Sequence, residues 1–126
     1  MALNKVLLAG RLVRDPEVRD THGGSNLCKF TIACDKRVKN KETGERKADF
    51  IRCTAWDYNA LFASQRLHKG DAVVVEGRLE NDDYVDGKGI ERHELAVVVE
   101  AVRFQDPDSI YSAPSPEDFD DLYDML

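Results

Sequence analysis

The sequence predicts an all-β domain with one short helix, a small five-stranded barrel followed by a disordered acidic tail. Three observations predict it. Short segments of apolar–polar alternation recur through residues 1–105, the period of a half-buried strand. One helix-compatible segment separates the third strand from the fourth. After Phe104 the aliphatic residues give way to Pro107, Pro114, Pro116 and acids, a composition that cannot bury a core.

The first strand spans Asn4 to Val13, and the Asp15-Pro16 step is expected to end its regular pairing. Gly23-Gly24 turns the chain into a second strand, Leu27 to Asp35. There Cys28, Phe30, Ile32 and Cys34 alternate with Lys29, Thr31, Ala33 and Asp35. A polar loop from Lys36 to Lys47 leads into the third strand, Ala48 to Trp56. Tyr58 to His68 reads as the helix, with Asp57 as its N-cap and Gly70 as its stop. Val73, Val75, Gly77 and Leu79 alternate along a fourth strand, and Asp86-Gly87 marks the tip of a hairpin returning through Leu95 to Phe104. Gly10 and Gly77 fall mid-strand, where barrels bend. Three strands, a helix and two strands match the five-stranded OB barrel, and the alternation by itself also admits another small barrel.

Composition narrows the function classes. The chain has 126 residues, enough for one ordinary domain, and none of its apolar runs approaches the roughly 20 residues of a membrane-spanning helix. Residues 1–8 carry one Lys and a brief apolar stretch, so no signal peptide is expected. Cys28, Cys34 and Cys53 form no CxxC pair and lie in apolar strand segments, which suits reduced core thiols in a cytoplasm; a disulfide between two of them would leave one over. The net charge of −6 is segmental. All 18 Lys and Arg lie in residues 1–105 beside 17 of the 24 acids, leaving seven acids and no base in 106–126. The expected division is a binding domain over 1–105 and an acidic tail over 106–126.

The third strand carries the most information. Ile51, Cys53 and Ala55 suit a core, so Phe50, Arg52, Thr54 and Trp56 must face outward. Exposed aromatics flanking an arginine mark an interaction site. Tyr84 stands at the end of the fourth strand. The loop 36–47 holds Lys36, Arg37, Lys39, Lys41, Arg46 and Lys47 against Glu42 and Glu45, the most basic stretch in the chain. Unpaired bases need flat apolar surfaces and phosphates need positive charge, so this arrangement suits a single-stranded nucleic acid read without regard to sequence.

Asn4-Lys5-Val6, Leu8-Ala9-Gly10-Arg11-Leu12 and Asp15-Pro16-Glu17-Val18-Arg19 begin a run of motifs. Phe30-Thr31-Ile32-Ala33, Ala48-Asp49-Phe50-Ile51-Arg52-Cys53-Thr54-Ala55-Trp56, Lys69-Gly70 and Glu76-Gly77-Arg78-Leu79 continue it. In this order they resemble the bacterial and phage single-stranded DNA-binding proteins over residues 3–104, most of all the Gram-positive variant. The resemblance implies an OB fold assembled as a homotetramer, base stacking on Phe50, Trp56 and Tyr84, and phosphate contacts at Arg11, Arg19, Lys41, Lys47, Arg52 and Lys69. Lys36, Arg37 and Lys39 of the basic stretch join the phosphate set. It also implies a tail that docks replication and repair proteins through Asp118, Phe119, Asp120, Asp121, Leu122, Tyr123, Asp124, Met125 and Leu126.

The chain departs from the family pattern in three places. Val38 stands where an aromatic is frequent, the fourth-strand hairpin reads Glu80-Asn81-Asp82-Asp83 rather than basic, and the tail ends Tyr123-Asp124-Met125-Leu126 rather than Pro-Phe. The expectation is a non-enzymatic, nucleoid-associated cytoplasmic protein. It would protect single-stranded DNA in replication, recombination and repair, with no cofactor, metal or membrane. His22, His68 and His93 are scattered without ligand spacing, and no nucleophile motif or phosphate-cradling glycine loop is present. The alternatives are an RNA-binding OB module and a protein-interaction paralogue with weak DNA binding.

Overall fold

Alternation in sequence becomes register in space. The computed structural model describes residues 2–20, 24 and 26–105, so the tail lies outside the described residues. The elements are β1 (Val6–Leu12), β2 (Glu17–Asp20), β3 (Asn26–Lys39), β4 (Arg46–Trp56), α1 (Asp57–Arg66), β5 (Ala72–Val85) and β6 (Glu91–Phe104). Strands neighbour one another in the order β1-β5-β6-β4-β3, and β3 pairs again with β1, closing five strands into an OB-like barrel. Among the described residues, β4 and β6 are the one parallel pair.

The first strand serves both edges of the closure. Val6 to Arg11 pair with β5, while Arg11 and Leu12 pair with Ala33 and Ile32 of β3. Regular pairing of β1 stops at Leu12, ahead of the Asp15-Pro16 step, as the sequence suggested. The chain makes a short excursion and resumes beside β3 as β2, from Glu17 opposite Lys29 to Asp20 opposite Asn26. Asp15 fixes the excursion by accepting the Lys69 backbone N–H at 2.8 Å.

Two glycines permit the close strand crossings. A Cβ at Gly10 would sit 2.6 Å from the Ala33 carbonyl oxygen, and one at Gly77 would strike the Val98 carbonyl and stand 2.9 Å from Val97 Cγ1. Gly77 lies at a bulge, where the β5–β6 register shifts between Glu76 and Gly77. Asn59 of α1 donates to the Val99 and Glu100 carbonyls there, at 3.3 and 3.2 Å, and so satisfies backbone the bulge leaves free.

Ile32, Leu67, Val73, Val75, Val97, Cys28 and Cys53 are the largest fully buried side chains. Helix α1 adds Ala60 and Ala63 to this core, small residues that let the helix lie close against the strands. The helix begins differently from the expectation. Asp57 is its first residue rather than its N-cap, with φ +52, and Trp56 holds the cap position without a side-chain hydrogen bond. Trp56 is still paired with Leu27, so the chain must turn from strand to helix within one residue. At the other end the helix stops at Arg66, and Gly70 lies in the following turn with φ +90.

The expected loop 36–47 is mostly strand. β3 and β4 run on past a register irregularity to the pair Lys39–Arg46, and only Asn40 to Glu45 form the turn. The second arm, β5–β6, pairs out to Val85–Glu91 and begins its return at Glu91 rather than Leu95. Backbone bonds from partner strands, which polar sequence does not forbid, make these arms. The barrel thus carries two projecting hairpins of opposite composition.

Candidate nucleic-acid interface

β4 sets its side chains alternately in and out. Cys53 and Ala55 are buried and Ile51 packs against the core, so Phe50, Arg52, Thr54 and Trp56 lie on the outer face. Phe50 is 68% exposed and Trp56 42%. Six residues of strand separate them, roughly 20 Å. Cross-strand pairing places Ala33, Thr31, Lys29 and Leu27 of β3 opposite Phe50, Arg52, Thr54 and Trp56.

Three clefts among the described residues lie along this face. The largest of these, about 460 Å³, is lined by Arg14, Arg19, Lys29, Thr31, Arg52, Thr54 and Tyr84 together with the acids Asp15 and Glu17. A second, about 180 Å³, runs from Lys29 and Thr54 to Trp56. A third, about 310 Å³, holds Phe50 among Val6, Leu8, Leu79, Leu95 and Arg52. Arg52 is shared by the first and third, and Lys29 and Thr54 by the first and second. The clefts therefore adjoin one another along β4, with Phe50, Tyr84 and Trp56 each in a different one.

Arg52 is the most constrained cation along these clefts. Its guanidinium carbon lies 4.2 Å from the Tyr84 ring centroid, Nη2 is 2.7 Å from Asp82 Oδ2, and Nη1 donates to Glu94 Oε2 at 3.4 Å. Lys29 Nζ stands 3.8 Å from the other oxygen of Asp82. β5 and β6 bring both carboxylates here, since Asp82 pairs with Glu94 across the arm.

The other sequence-predicted cations are dispersed. Arg19 on β2 lines the main cleft and lies 3.4 Å from Glu17. Arg11, on the neighbouring edge, donates to the Gly70 carbonyl at 3.1 Å in the turn after the helix. Lys69 lies in that same turn, exposed. Lys36 donates to Asp49 at 2.7 Å, and Arg37, Lys39, Lys41 and Lys47 follow along the exposed β3–β4 arm. Arg14 and Lys29 line the main cleft and were missed from sequence. Lys29 had a signal, because it alternates outward between Cys28 and Phe30 on the strand beside β4.

Among the described residues no group of three or more His, Cys, Asp or Glu side chains is placed to hold a metal ion, and no helix is long and apolar enough to cross a membrane. Cys28, Cys34 and Cys53 are free thiols, and burial pushes the Cys53 thiol up to about 12, far from a reactive thiolate. The tail residues from Asp118 to Leu126 lie outside the described residues.

Comparison with known proteins gives the family. The model of the single-strand binding protein family matches residues 3–105. A protein of Lactiplantibacillus plantarum named single-stranded DNA-binding protein is 41% identical over 98 residues, covering 78% of this chain and 48% of the relative. Single-stranded DNA-binding protein 2 of Listeria innocua and single-stranded DNA-binding protein A of Bacillus subtilis are each 39% identical over 105 residues. Those two alignments cover 83% of this chain and 65% and 60% of the relatives. The chain thus spans about half to two thirds of the length of these curated relatives.

Proposed function

The chain belongs to the single-strand binding protein family, and from that premise we propose that it binds single-stranded DNA without regard to sequence, along the outer face of β4. The observation that carries the reading is the pair of exposed aromatics, Phe50 and Trp56, on a strand whose inward residues already fill the core. An aromatic face accepts any base, at about 1–3 kcal/mol per stacked base, whereas sequence readout needs donors and acceptors aimed at base edges. Tyr84 offers a third ring, and Arg14, Arg19, Lys29 and Arg52 provide the charge between them.

The basic β3–β4 arm, with Lys36, Arg37, Lys39, Lys41 and Lys47, extends this charge beyond the barrel, and Arg11 and Lys69 offer further phosphate contacts on the neighbouring edge. In this reading the protein does no chemistry of its own. It shields transient single strands in the cytoplasm during replication, recombination and repair, acts as a homotetramer, and recruits other proteins through residues 106–126. A gel-shift competition tests the binding. Labelled oligo-dT held by the protein should be displaced by unlabelled oligo-dT and resist an equal mass of duplex. Preference for oligo-U would favour an RNA-binding module, and failure to bind any strand would leave a protein-interaction role.

A further inference from the structure

We propose that Asp82 and Glu94 are built-in competitors for the phosphate site of Arg52, so that a strand binds this guanidinium by exchanging carboxylate for phosphate. The proposal rests on the single-strand binding reading above and names the residues that set its affinity and its salt dependence.

Two carboxylates on one arm are held in different ways. Asp86, at the tip, accepts the Lys88 and Ile90 backbone N–H groups at 2.9 and 3.0 Å and Arg92 Nε at 3.0 Å. Asp82 has none of this. Its Oδ2 is shut off from solvent and makes no hydrogen bond of acceptable angle, although Arg52 Nη2 stands 2.7 Å away. Charge alone holds it there, and Glu94 completes the enclosure at 3.4 Å. The same Asp82 also lies 3.8 Å from Lys29, so two cations of the main cleft share one carboxylate.

A guanidinium presents a planar fork of donors that fits a phosphate bidentately. A phosphate on the path can therefore give Arg52 the directed bonds that Asp82 does not. Tyr84 keeps the guanidinium face-on beneath it while its partner changes. No bond is made or broken in the exchange. The counterions also differ from those of an unpaired arginine. Each phosphate neutralised on a single strand releases about 0.7 of a cation. Here the displaced carboxylate collects a cation of its own, which offsets that release. The cost is affinity, and the consequence is a shallower response to salt.

The test measures oligo-dT affinity against salt for Asp82→Asn, alone and in an Arg52→Gln background, with Asp83→Asn as control. Asp83 sits on the same arm, exposed, 3.0 Å from His93 and away from Arg52. Asp82→Asn should tighten binding on the order of tenfold at low salt, the scale of one charge-assisted contact. It should also steepen the slope of log K against log salt by about 0.7. Both gains should shrink severalfold in the Arg52→Gln background, to what Lys29 alone recovers, and be small for Asp83→Asn. Equal gains from Asp82→Asn and Asp83→Asn, or a gain undiminished by Arg52→Gln, would reduce the effect to net charge and overturn the exchange. If Asp82→Asn loses its folded circular dichroism, Glu94→Gln at the more exposed side of the enclosure takes the same test. Absence of oligo-dT binding by the unaltered protein overturns the binding reading itself. Binding that ignores all of these substitutions overturns only the exchange.

Discussion

The Arg52 guanidinium carbon lies 4.2 Å from the centroid of the Tyr84 ring, which joins β4 to β5 across the strand between them. One face of Tyr84 is therefore covered, and a base can stack only on the other.

This arrangement separates the ring from the hydroxyl. Tyr84→Phe keeps the face that supports Arg52 and should leave both stability and oligo-dT affinity nearly unchanged. Tyr84→Ala removes a cation–π contact of about 0.5–1 kcal/mol and one stacking platform. Its oligo-dT affinity should fall about tenfold while its urea midpoint drops only slightly, as paired denaturation and binding curves would show.

Gly77 is a steric requirement of the barrel. A Cβ there would strike the Val98 carbonyl, whereas one at Gly87 meets nothing within 4 Å. Gly77→Ala should cost about 1–3 kcal/mol in urea denaturation, and Gly87→Ala less than about 0.5 kcal/mol. Equal costs would mean that the strand crossing relaxes freely.

The buried thiols predict a pH dependence. Burial raises the Cys53 thiol from 9.0 unfolded to about 12 folded, and the Cys28 thiol is raised by burial as well. A group whose pKa is higher in the folded state contributes stability that is complete below the unfolded value and is lost as pH rises through the folded one. The urea midpoint should therefore decline as pH climbs from about 9 toward 12. At pH 8, Cys28 and Cys53 should resist a disulfide reagent until denaturant is added. Rapid labelling of both thiols in the native protein would contradict this burial.

How far the sequence could be read depended on which neighbours mattered. Ile51, Cys53 and Ala55 alternate with Phe50, Arg52 and Trp56, so the inward and outward faces of β4 were legible from one segment. The hairpin arms were not, because Lys36 to Lys39 and Arg46 to Lys47 show no apolar period and are ordered by pairing with one another. Asp57 looked like a helix cap by residue type, but the pairing of Trp56 with Leu27 pushed it into the helix and into positive φ. In the sequence the acids of the β5–β6 arm stood out as a departure from the basic family pattern. Their contacts with Lys29 and Arg52 arise only when closure of the barrel sets β6 beside β4, some 40 residues away in sequence for the Arg52–Glu94 pair.

Trp56 is the chain's one tryptophan, 42% exposed, and it stands on the proposed path. The most direct measurement is its fluorescence during titration with oligo-dT, a matched duplex and oligo-U, at low and at moderate salt. A strand crossing β4 should quench it strongly with oligo-dT, weakly with the duplex, and less tightly as salt rises. Tight oligo-dT binding with unchanged Trp56 emission would place the strand on another surface and contradict the account.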